Sequence, residues 1–444
     1  MNKIKNLSEG AFLKLLFAFL SLCFLVAAVC MSDRNEMFSG LWKIMSGTCK
    51  ISTNYFAQGG MAATFLNMGL VCLVSLLLFV VFKGTPNNVS TLAVILTTGF
   101  GSWGINVLNI WPTFFGVMIY GLVKKEKLGG LVNAMLFSTG IAPLISELLF
   151  RYPGTEYIGF NVPGLLAALA VGFVIGFFLP AGLAHSPKVH KGFDLYSAAL
   201  PIGMTAFLLN ATLFNTMGLD VNVLTTAGDM AVTSRATVNI FCCVVFGLCI
   251  IAAFLLGCRP KDYWKLLSDP ALVTNFSSTY GNATFLMNVG VFGLFILGYY
   301  NLINAPFNGV TFGRIFCMLC TCNSGSRPTN VWPIMLGYVV ASAVTGWISP
   351  LLGGNFTLAV NAQAIVIGLC YANGLSPICD KYGWAYGFVA SMIHYCLVTL
   401  VPGLHGGFCL YNGGFTAIFV CIILIPVLEK FCTLKADRLA AKAK

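Results

Sequence analysis

One block of sequence occurs twice in this chain, and no other feature restricts the possible folds as strongly. The motif NIWP at residues 109–112 is matched by NVWP at residues 330–333. The difference, 330 − 109 = 221, also relates Gly104 to Gly325. Repeats of this length far exceed the roughly 20–50 residues of stacked-repeat proteins. The chain is therefore predicted to consist of two fused copies of one unit.

The match continues towards the end of each copy with small changes in spacing. The stretch TGIAP at 139–143 corresponds to NGLSP at 373–377, and GFDLY at 192–196 corresponds to GFCLY at 407–411. These correspondences define the expected organisation. We place the first membrane repeat at 1–218, an outer connecting loop at 219–235, the second membrane repeat at 236–428 and a basic cytoplasmic tail at 429–444.

Composition excludes a water-soluble globule. The chain is 58% hydrophobic and only 9% charged, with a mean hydropathy of +0.87, which is more apolar surface than a soluble domain can bury. The net charge of +11 would suggest nucleic acid in a soluble protein. In a membrane protein it indicates cytoplasmic loops rich in lysine and arginine, so no nucleic-acid partner is expected. The 17 cysteines are scattered through apolar segments, which favours free thiols.

Apolar runs predict an all-α polytopic membrane protein. Seven runs in each copy are long enough to cross about 30 Å of hydrocarbon or are interrupted versions of such runs. They lie at 11–31, 58–82, 89–108, 111–123, 129–150, 160–183 and 194–217, and then at 236–257, 280–301, 309–325, 331–348, 355–375, 383–402 and 408–428. Because each copy has an odd number, the two copies are expected to be inverted seven-segment repeats.

The distribution of basic residues predicts the orientation. Most lysines and arginines, Arg327 among them, fall on the side of the membrane that holds both termini. Cytoplasmic loops carry the excess of such residues. Both termini are therefore expected in the cytoplasm, and the protein is expected in the bacterial cytoplasmic (inner) membrane.

Two pairs of matching interruptions predict a solute site. Glycines and prolines break segments 3 and 10 at 99–104 and 323–328, and a second pair of breaks lies at 138–143 and 373–377. Broken helices free backbone groups at membrane depth, and these groups can hold a solute or an ion. The alternative is that the glycines serve packing and the asparagines only bridge helices. The predicted substrate-binding residues between segments 3 and 10 are Ser102, Trp103, Asn106, Asn109, Trp111, Asn323, Ser324, Ser326, Thr329, Asn330 and Trp332.

Titratable residues near the breaks are candidates for proton or ion coupling. Glu147 follows the first break, and Asp380 follows the second. Acids at membrane depth are costly and are functional candidates, unless they lie near helix ends and reach water. Histidine titrates near neutrality; His185 and His405 are expected after equivalent proline turns, and His394 lies inside segment 13. The coupling candidates are Glu147, Asp194, His394 and His405, with Asp194 and Tyr196 expected to open a helix.

Segment 10 contains two features, Arg314 and a run of cysteines, and each can be interpreted in two ways. Arg314 is either an anion-binding charge or a cation that reaches the outer interface. Cys317, Cys320 and Cys322 have a spacing that suggests a metal site, but no carboxylate or histidine accompanies them. Buried thiols are the favoured interpretation. We expect neither a metal nor a cofactor.

The doubled Trp-Pro block and the ending VPGLHGGFCLYNGG at 401–414 resemble a bacterial family of tandem-copy membrane proteins known only as a domain of unknown function. That resemblance implies no activity. Seven-plus-seven inverted repeats broken in segments 3 and 10 are similar in architecture to the nucleobase-ascorbate and sulfate-type anion transporters. The stretch GFCLYNG at 407–413 is similar to the Gly-x-x-x-Tyr-Asn-Gly pattern of urea transporters, which are channels.

Together these features predict a secondary transporter of a small polar or zwitterionic solute. A urea-transporter-like channel for a small neutral solute is the first alternative. A membrane-embedded enzyme is the second, although the 14 carboxylates are too dispersed to suggest a catalytic cluster, and we expect no enzyme activity. The expected partners are the solute and the lipid bilayer, and a homo-oligomer is left open.

Overall fold

The computed structural model describes residues 7–51, 53–154, 156–216, 227–270, 273–354 and 358–442. These residues form helices, turns and loops, with no strand among them. The helices of the first copy are α1 Glu9–Cys30, α2 Met37–Ser46, α3 Tyr55–Gln58, α4 Met61–Val81, α5 Asn88–Phe100, α6 Trp111–Lys124, α7 Leu128–Ser138, α8 Ala142–Arg151, α9 Val162–His190 and α10 Ala199–Asn210. After the connecting helix α11 (Ala227–Ala231), the second copy follows the same order.

The second copy is built from α12 Arg235–Leu255, α13 Pro260–Leu267, α14 Phe276–Tyr280, α15 Asn282–Leu302, α16 Gly309–Leu319, α17 Pro328–Leu351, α18 Gln363–Ala372, α19 Ser376–Tyr382, α20 Trp384–Leu397, α21 Val401–Leu404 and α22 Asn412–Phe431, and a terminal helix α23, Lys435–Lys442, follows. Of the expected connecting loop, residues 219–226 lie outside the described residues.

Long apolar helices confirm that the protein is embedded in a membrane. Within the described residues, eight helical stretches are long and apolar enough to cross a bilayer. They are α1, α4, the continuous stretch α7–α8, α9, α12, α15, α17 and the stretch that begins with α22. At least about 18–20 apolar residues are needed to cross the hydrocarbon core, so the protein is a polytopic, all-helical membrane protein.

The remaining helices are too short to cross by themselves. Each of the fourteen apolar runs contains a helix, but α5 has 13 residues and α16 has 11. At about 1.5 Å per residue they span roughly 20 Å and 16 Å, well below the roughly 30 Å of hydrocarbon. These two helices are the broken segments 3 and 10.

The breaks occur where the sequence predicts them. Helix α5 ends at Phe100, and α16 passes into a 3-10 turn, Cys320–Asn323. The turns that follow need a left-handed residue, which Gly104 supplies at φ 83° and Gly325 at φ 136°. The second pair of breaks is also confirmed, as 3-10 turns at Thr139–Ile141 and Asn373–Leu375.

Some helix boundaries were predicted wrongly. Helix α10 begins at Ala199, so Asp194 and Tyr196 precede the helix and do not open it. His185 lies within the continuous helix α9 and not after a proline turn. A proline removes only one helix hydrogen bond, and without a left-handed residue beside it the apolar helix continues. Helix α18 likewise starts at Gln363, later than expected, and residues 355–357 lie outside the described residues.

The two copies exchange equivalent contacts. The backbone N–H of Leu195 in the first copy donates to the carbonyl of Gly374 in the second, at 3.1 Å. Conversely, the N–H of Leu410 donates to the carbonyl of Gly140, at 2.8 Å. The sequence correspondence maps one bond onto the other, because 140 + 234 = 374 and 195 + 215 = 410. Reciprocity of this kind characterises an interface in which both partners use the same surface.

Helices α5 and α16 cross at the centre of this interface. The Sγ of Cys317 lies 4.0 Å from the carbonyl oxygen of Leu96, and these two residues are equivalent because 96 + 221 = 317. The helices approach closely because Gly99 faces α16: a Cβ there would lie 2.7 Å from the carbonyl oxygen of Gly313. The broken segments of the two copies therefore meet back to back in the protein interior.

Aromatic packing holds the copies together beside this crossing. Phe24 of α1 lies 4.9 Å from Phe241 of α12 between ring centroids, and Phe65 of α4 is equally close to Phe241. Phe312 of α16 joins them at 5.0 Å from Phe65. Aromatic pairs at these separations add to the stability given by their burial, so the interface has a rigid apolar side next to its polar breaks.

Candidate functional site

Asparagine side chains shape the turns after α5 and α16 identically in both copies. The Nδ2 of Asn67 donates to the carbonyls of residues 101 and 105 at 2.7 and 2.8 Å. The Nδ2 of Asn288 donates to the carbonyls of residues 322 and 326 at 2.8 and 3.0 Å. All three positions differ by 221. These amides satisfy the backbone groups that the broken helices free.

Asn109 and Asn330 fix the ends of the same turns. Each Nδ2 donates to the carbonyl five residues before it at 3.0 Å, and each Oδ1 accepts from the N–H three residues before it at 3.0 Å. Both side chains are buried. Their shared contacts position the starts of α6 and α17.

In the first copy, the side chains around Asn109 form a cluster that is uncharged and closed to solvent. Asn109 donates to the hydroxyl of Ser146 at 3.0 Å, and the Nδ2 of Asn106 lies 3.4 Å from the Sγ of Cys49. Asn106, Asn109 and Ser146 have no exposed surface.

In the second copy the equivalent positions carry a buried ion pair. The offsets 106 + 221 = 327 and 146 + 234 = 380 place Arg327 and Asp380 where the first copy has Asn106 and Ser146. The guanidinium of Arg327 donates to both carboxylate oxygens of Asp380, at 3.2 and 2.8 Å. Asn330 donates to Asp380 at 2.8 Å. A bidentate arginine–carboxylate contact is a strong and directional one.

This ion pair borders a cavity of about 810 Å³. Asn330, Thr329 and Trp332 of the predicted site line it, together with Trp384 and Tyr386. Cavities of about 300–1,000 Å³ that combine aromatic walls with a few polar groups suit small ligands. Its charged lining residues are Arg327, Lys381, Lys435 and Arg438 against Asp269 and Asp380, four cations and two carboxylates.

The terminal helix α23 lies along the rim of the cavity. Arg438 of this helix donates to the carbonyl of Tyr382, and its guanidinium lies 5.5 Å from the ring centroid of Tyr386. Lys435 is also a lining residue. Access to the ion pair therefore passes beside a basic helix that belongs to the end of the chain.

A chain of hydrogen bonds leads from the ion pair's side of the protein to the α5–α16 crossing. The hydroxyl of Ser326 is 3.4 Å from that of Ser376 and 2.7 Å from that of Thr321. Asn373 donates to Thr321 at 2.8 Å, and the hydroxyl of Tyr196 donates to Asn373 at 2.8 Å. The Tyr196 hydroxyl also lies 2.9 Å from the carbonyl oxygen of Cys317 on α16, so this network reaches the crossing.

The other predicted binding residues are spread around this network. Ser102 donates to the carbonyl of Gly309 at 2.7 Å, and Asn323 donates to Thr91 at 3.1 Å. Ser324 lies at 3.5 Å from Asn88. Trp111 is partly exposed, and its Nε1 donates to a backbone carbonyl of its own turn. Of the eleven predicted residues, those that line the cavity are Thr329, Asn330 and Trp332.

Trp103 is buried against Arg314, whose guanidinium carbon lies 3.7 Å from the Trp103 ring centroid. Arg314 has no exposed surface, so the interpretation that its side chain reaches the outer interface is wrong. It sits on α16, at the crossing with α5, between the rings of Trp103 and Tyr371.

The coupling candidates differ in how well their polar atoms are satisfied. Glu147 is buried and lies 3.6 Å from Arg151. Both nitrogens of His394 have partners, the Tyr338 hydroxyl at 2.5 Å and the Gly413 carbonyl at 2.8 Å. His394 is therefore not the unpartnered histidine that its place in an apolar segment suggests.

Asp194 and His405 each keep one buried atom without a hydrogen-bond partner. These atoms are Asp194 Oδ2 and His405 Nε2. Asp194 Oδ1 accepts from the backbone N–H of Tyr196 at 3.0 Å, and His405 Nδ1 bonds with Asn412. In the described part of the chain, no group of histidine, cysteine, aspartate or glutamate side chains is arranged to hold a metal ion. All 17 cysteines are free thiols.

Sequence reasoning missed the Arg327–Asp380 pair because it assigned Arg327 to a cytoplasmic loop. The signal was nevertheless present. At the offsets of 221 and 234, Asn106 corresponds to Arg327 and Ser146 corresponds to Asp380. Two charges of opposite sign that appear together at equivalent positions of one cluster indicate an ion pair.

Comparison with known proteins identifies a family but no activity. The model of the family described as "Protein of unknown function (DUF1576)" matches residues 33–215 and 260–430. One matched segment falls in each copy, as expected for a tandem arrangement. No curated protein and no solved structure matches the chain.

Proposed function

We propose that this chain, which belongs to the DUF1576 family of proteins of unknown function, is a secondary transporter of a small zwitterionic or polar solute. The proposed path runs from the cavity beside Arg327 and Asp380 to the interior between segments 3 and 10. Nothing in the family description favours one solute.

The difference between equivalent clusters carries the proposal. Arg327, Asn330 and Asp380 border an 810 Å³ cavity, whereas Asn106, Asn109 and Ser146 are fully buried. Carriers built from inverted repeats open one side of a central site at a time, because the two repeats take up different arrangements. One open and one closed cluster, made of equivalent residues, is the arrangement such a carrier adopts.

The membrane arrangement that goes with this proposal has fourteen segments in two inverted copies. Eight long helices and six shorter ones correspond to the fourteen apolar runs, seven in each copy. Because each copy crosses the membrane an odd number of times, the second copy has the opposite orientation to the first. The cavity borders Lys381, Lys435 and Arg438, and by the positive-inside rule these cations support an arrangement with its opening and both termini on the cytoplasmic side of a bacterial inner membrane.

The ion pair favours a solute that carries both charges. A carboxylate of the solute can replace Asp380 at the guanidinium of Arg327, while an ammonium group binds Asp380. Such an exchange keeps every buried charge compensated, which an isolated charge in this site would not. Trp332 and Trp384, stacked with ring centroids 5.9 Å apart, form an apolar wall for the rest of the molecule.

The proposal is tested by finding the solute and measuring its flux. Purified protein is screened for thermal stabilisation by amino acids, betaines and other small polar metabolites, because a ligand of the folded state raises its apparent stability. Uptake of the best ligand into proteoliposomes is then measured. We expect saturable uptake that Arg327→Gln and Asp380→Asn weaken at least tenfold, whereas Arg259→Gln, at an exposed arginine paired with Asp262, leaves it unchanged.

Other outcomes would separate the alternatives. Flux that rises linearly with concentration would support a channel. Recovery of a chemically altered solute would support an enzyme. If no metabolite stabilises the protein and none is taken up, the transport proposal fails.

A further inference from the structure

Arg314 is a buried cation without an acidic partner. It has no exposed surface, and its guanidinium lies between aromatic rings, 3.7 Å from the centroid of Trp103 and 5.4 Å from that of Tyr371. Among the described residues, the four ion pairs involve other arginines and lysines. A guanidinium stays charged in proteins, so a positive charge remains here in the interior.

Hydrogen-bond donors at this position exceed acceptors. The Nη1 of Arg314 donates to the Sγ of Cys370 at 3.2 Å. Its Nε and Nη2 have no partner, and neither have the indole Nε1 of Trp103 and the hydroxyl of Tyr300. Buried donors without acceptors are costly and rare. The faces of the aromatic rings attract the cation, but they supply neither a negative charge nor an oxygen or halide acceptor.

The indole N–H edge of Trp103 lies against the backbone of α16 at Gly313, the residue before Arg314. A Cβ at Gly313, next to Arg314, would lie 2.8 Å from Trp103 Nε1. The unpartnered donors of Arg314 and Trp103 therefore lie together at the crossing of α5 and α16, where the two broken segments meet.

We propose that Arg314 and Trp103 bind a small monovalent anion in the protein interior. Guanidinium and indole N–H groups suit a carboxylate or a halide, since each is compact and accepts several hydrogen bonds. One anion supplies both the missing charge and the missing acceptors. The site lies apart from the Arg327–Asp380 pair, and the proposal holds whether or not the chain is a transporter.

The test compares anions at one ionic strength. Melting temperatures of the purified protein are measured in sodium chloride, bromide, formate and acetate, with gluconate as an anion too large for the site. Wild-type protein is expected to melt about 2 °C or more higher in a binding anion than in gluconate. Arg314→Gln is expected to lose this difference. Arg259→Gln, at an exposed arginine paired with Asp262, serves as the control and is expected to keep it.

A second expectation concerns gluconate alone. Without a bound anion the wild-type protein carries an uncompensated buried charge, so Arg314→Gln is expected to melt higher than wild type in gluconate, because removing such a charge relieves its desolvation cost. In a binding anion, this difference in melting temperature between the variant and the wild-type protein is expected to shrink or to change sign.

Fluorescence provides a measurement that needs no arginine variant. Bromide titration of the wild-type protein is expected to show a saturable quenching component, from a bromide held beside Trp103, that Trp103→Phe lacks. Stabilisation by formate and acetate but not by halides, without bromide quenching, would show that the site takes a carboxylate. Stabilisation by halides as well would identify a free anion.

Two results would overturn the proposal. One is a melting temperature of the wild-type protein that is the same in all five anions, with no saturable quenching. The other is thiolate absorbance near 240 nm that disappears in Cys370→Ala while the anions have no effect, because the Cys370 thiolate would then be the partner of Arg314.

Discussion

Asn109 and Asn330 hold equivalent turns by the same hydrogen bonds, yet they serve clusters of different electrostatic character. Around Asn109 the neighbours are neutral side chains without exposed surface, whereas Asn330 donates to the carboxylate of a buried ion pair. The turn therefore uses the asparagine in both copies. The two positions beside it can hold either the neutral pair Asn106 and Ser146 or the charged pair Arg327 and Asp380. The charged pair is the element that needs a functional explanation.

A double substitution tests whether the charged cluster around Asn330 is equivalent to the neutral cluster around Asn109. Asp380→Ser alone leaves a buried arginine without its carboxylate, and Arg327→Asn alone leaves a buried carboxylate without its guanidinium. Each is expected to destabilise the protein by about 3–5 kcal/mol. The double variant reproduces the first-copy cluster, so it is expected to be more stable than either single variant, as measured by melting temperature. A double variant that melts lower than both single variants would show that the clusters are not equivalent.

The sequence identified the amides and the tryptophans of this site but not their roles. Repetition at a constant offset marks Asn109 and Asn330 as a pair, and it carries no information on which atoms they bond. Burial of Arg327 and Arg314 depends on segments distant in sequence: α13 and α19 for Arg327, and the turn after α5 together with α18 for Arg314. The sequence alone therefore placed Arg327 in a cytoplasmic loop and left Arg314 as either an anion-binding charge or a cation that reaches the outer interface.

At the level of elements, each break is filled by an aromatic residue from the other copy. A Cβ at Gly374 would lie 2.5 Å from the ring of Tyr196, and one at Gly140 would lie 2.5 Å from the ring of Tyr411. Tyr196 belongs to the first copy and Tyr411 to the second. At each break, a tyrosine of one copy therefore packs against a glycine of the other copy.

Alanine at these glycines should be costly. Gly374→Ala forces the Tyr196 ring to move in a packed interior and is expected to destabilise the protein by about 1–3 kcal/mol. Gly130→Ala in helix α7 is the control, because a Cβ there meets no atom within 4 Å; it is expected to be neutral or slightly stabilising. Chemical denaturation in detergent measures both. Equal stability of the two variants would contradict the described packing of Tyr196.

Hydropathy located the continuous helices well, and glycine and proline located the breaks. Helix ends were less predictable. The stretches at 193–198 and 408–411 are as apolar as a helix start, but they run as non-helical chain because their backbone N–H groups bond to the opposite copy at Gly374 and Gly140. Such a contact between distant segments leaves no local pattern in the sequence.

For the whole molecule, the terminal helix α23 is expected to control entry to the cavity. It contacts the rim through Arg438 and contributes Lys435 to the lining. Deleting residues 434–444 removes these contacts without touching a long apolar helix. We expect the shortened protein to fold and a cysteine placed at Thr329 to react faster with maleimide than in the full chain. Arg259→Gln, at an exposed residue that does not line the cavity, is expected to leave the rate unchanged.

An unchanged labelling rate in the shortened protein would show that α23 does not restrict access. Loss of a monodisperse, folded protein would instead make α23 part of the structural core, contrary to its exposed side chains.

The central claim is that two equivalent clusters face opposite sides of the membrane and that one of them is open. It is tested most directly by cysteines at two equivalent positions, Thr329 and Leu108, since 108 + 221 = 329. Each is placed in protein whose exposed Cys30, Cys243 and Cys396 are replaced by serine. An impermeant maleimide is applied to right-side-out and to inside-out vesicles.

The account predicts that the cysteine at position 329, an exposed residue lining the cavity, is labelled rapidly and only from the cytoplasmic side. The cysteine at position 108, half-buried beside the closed cluster, is expected to be labelled slowly and only from the outside. Labelling of both positions from the same side would contradict the inverted arrangement and, with it, the proposed mechanism.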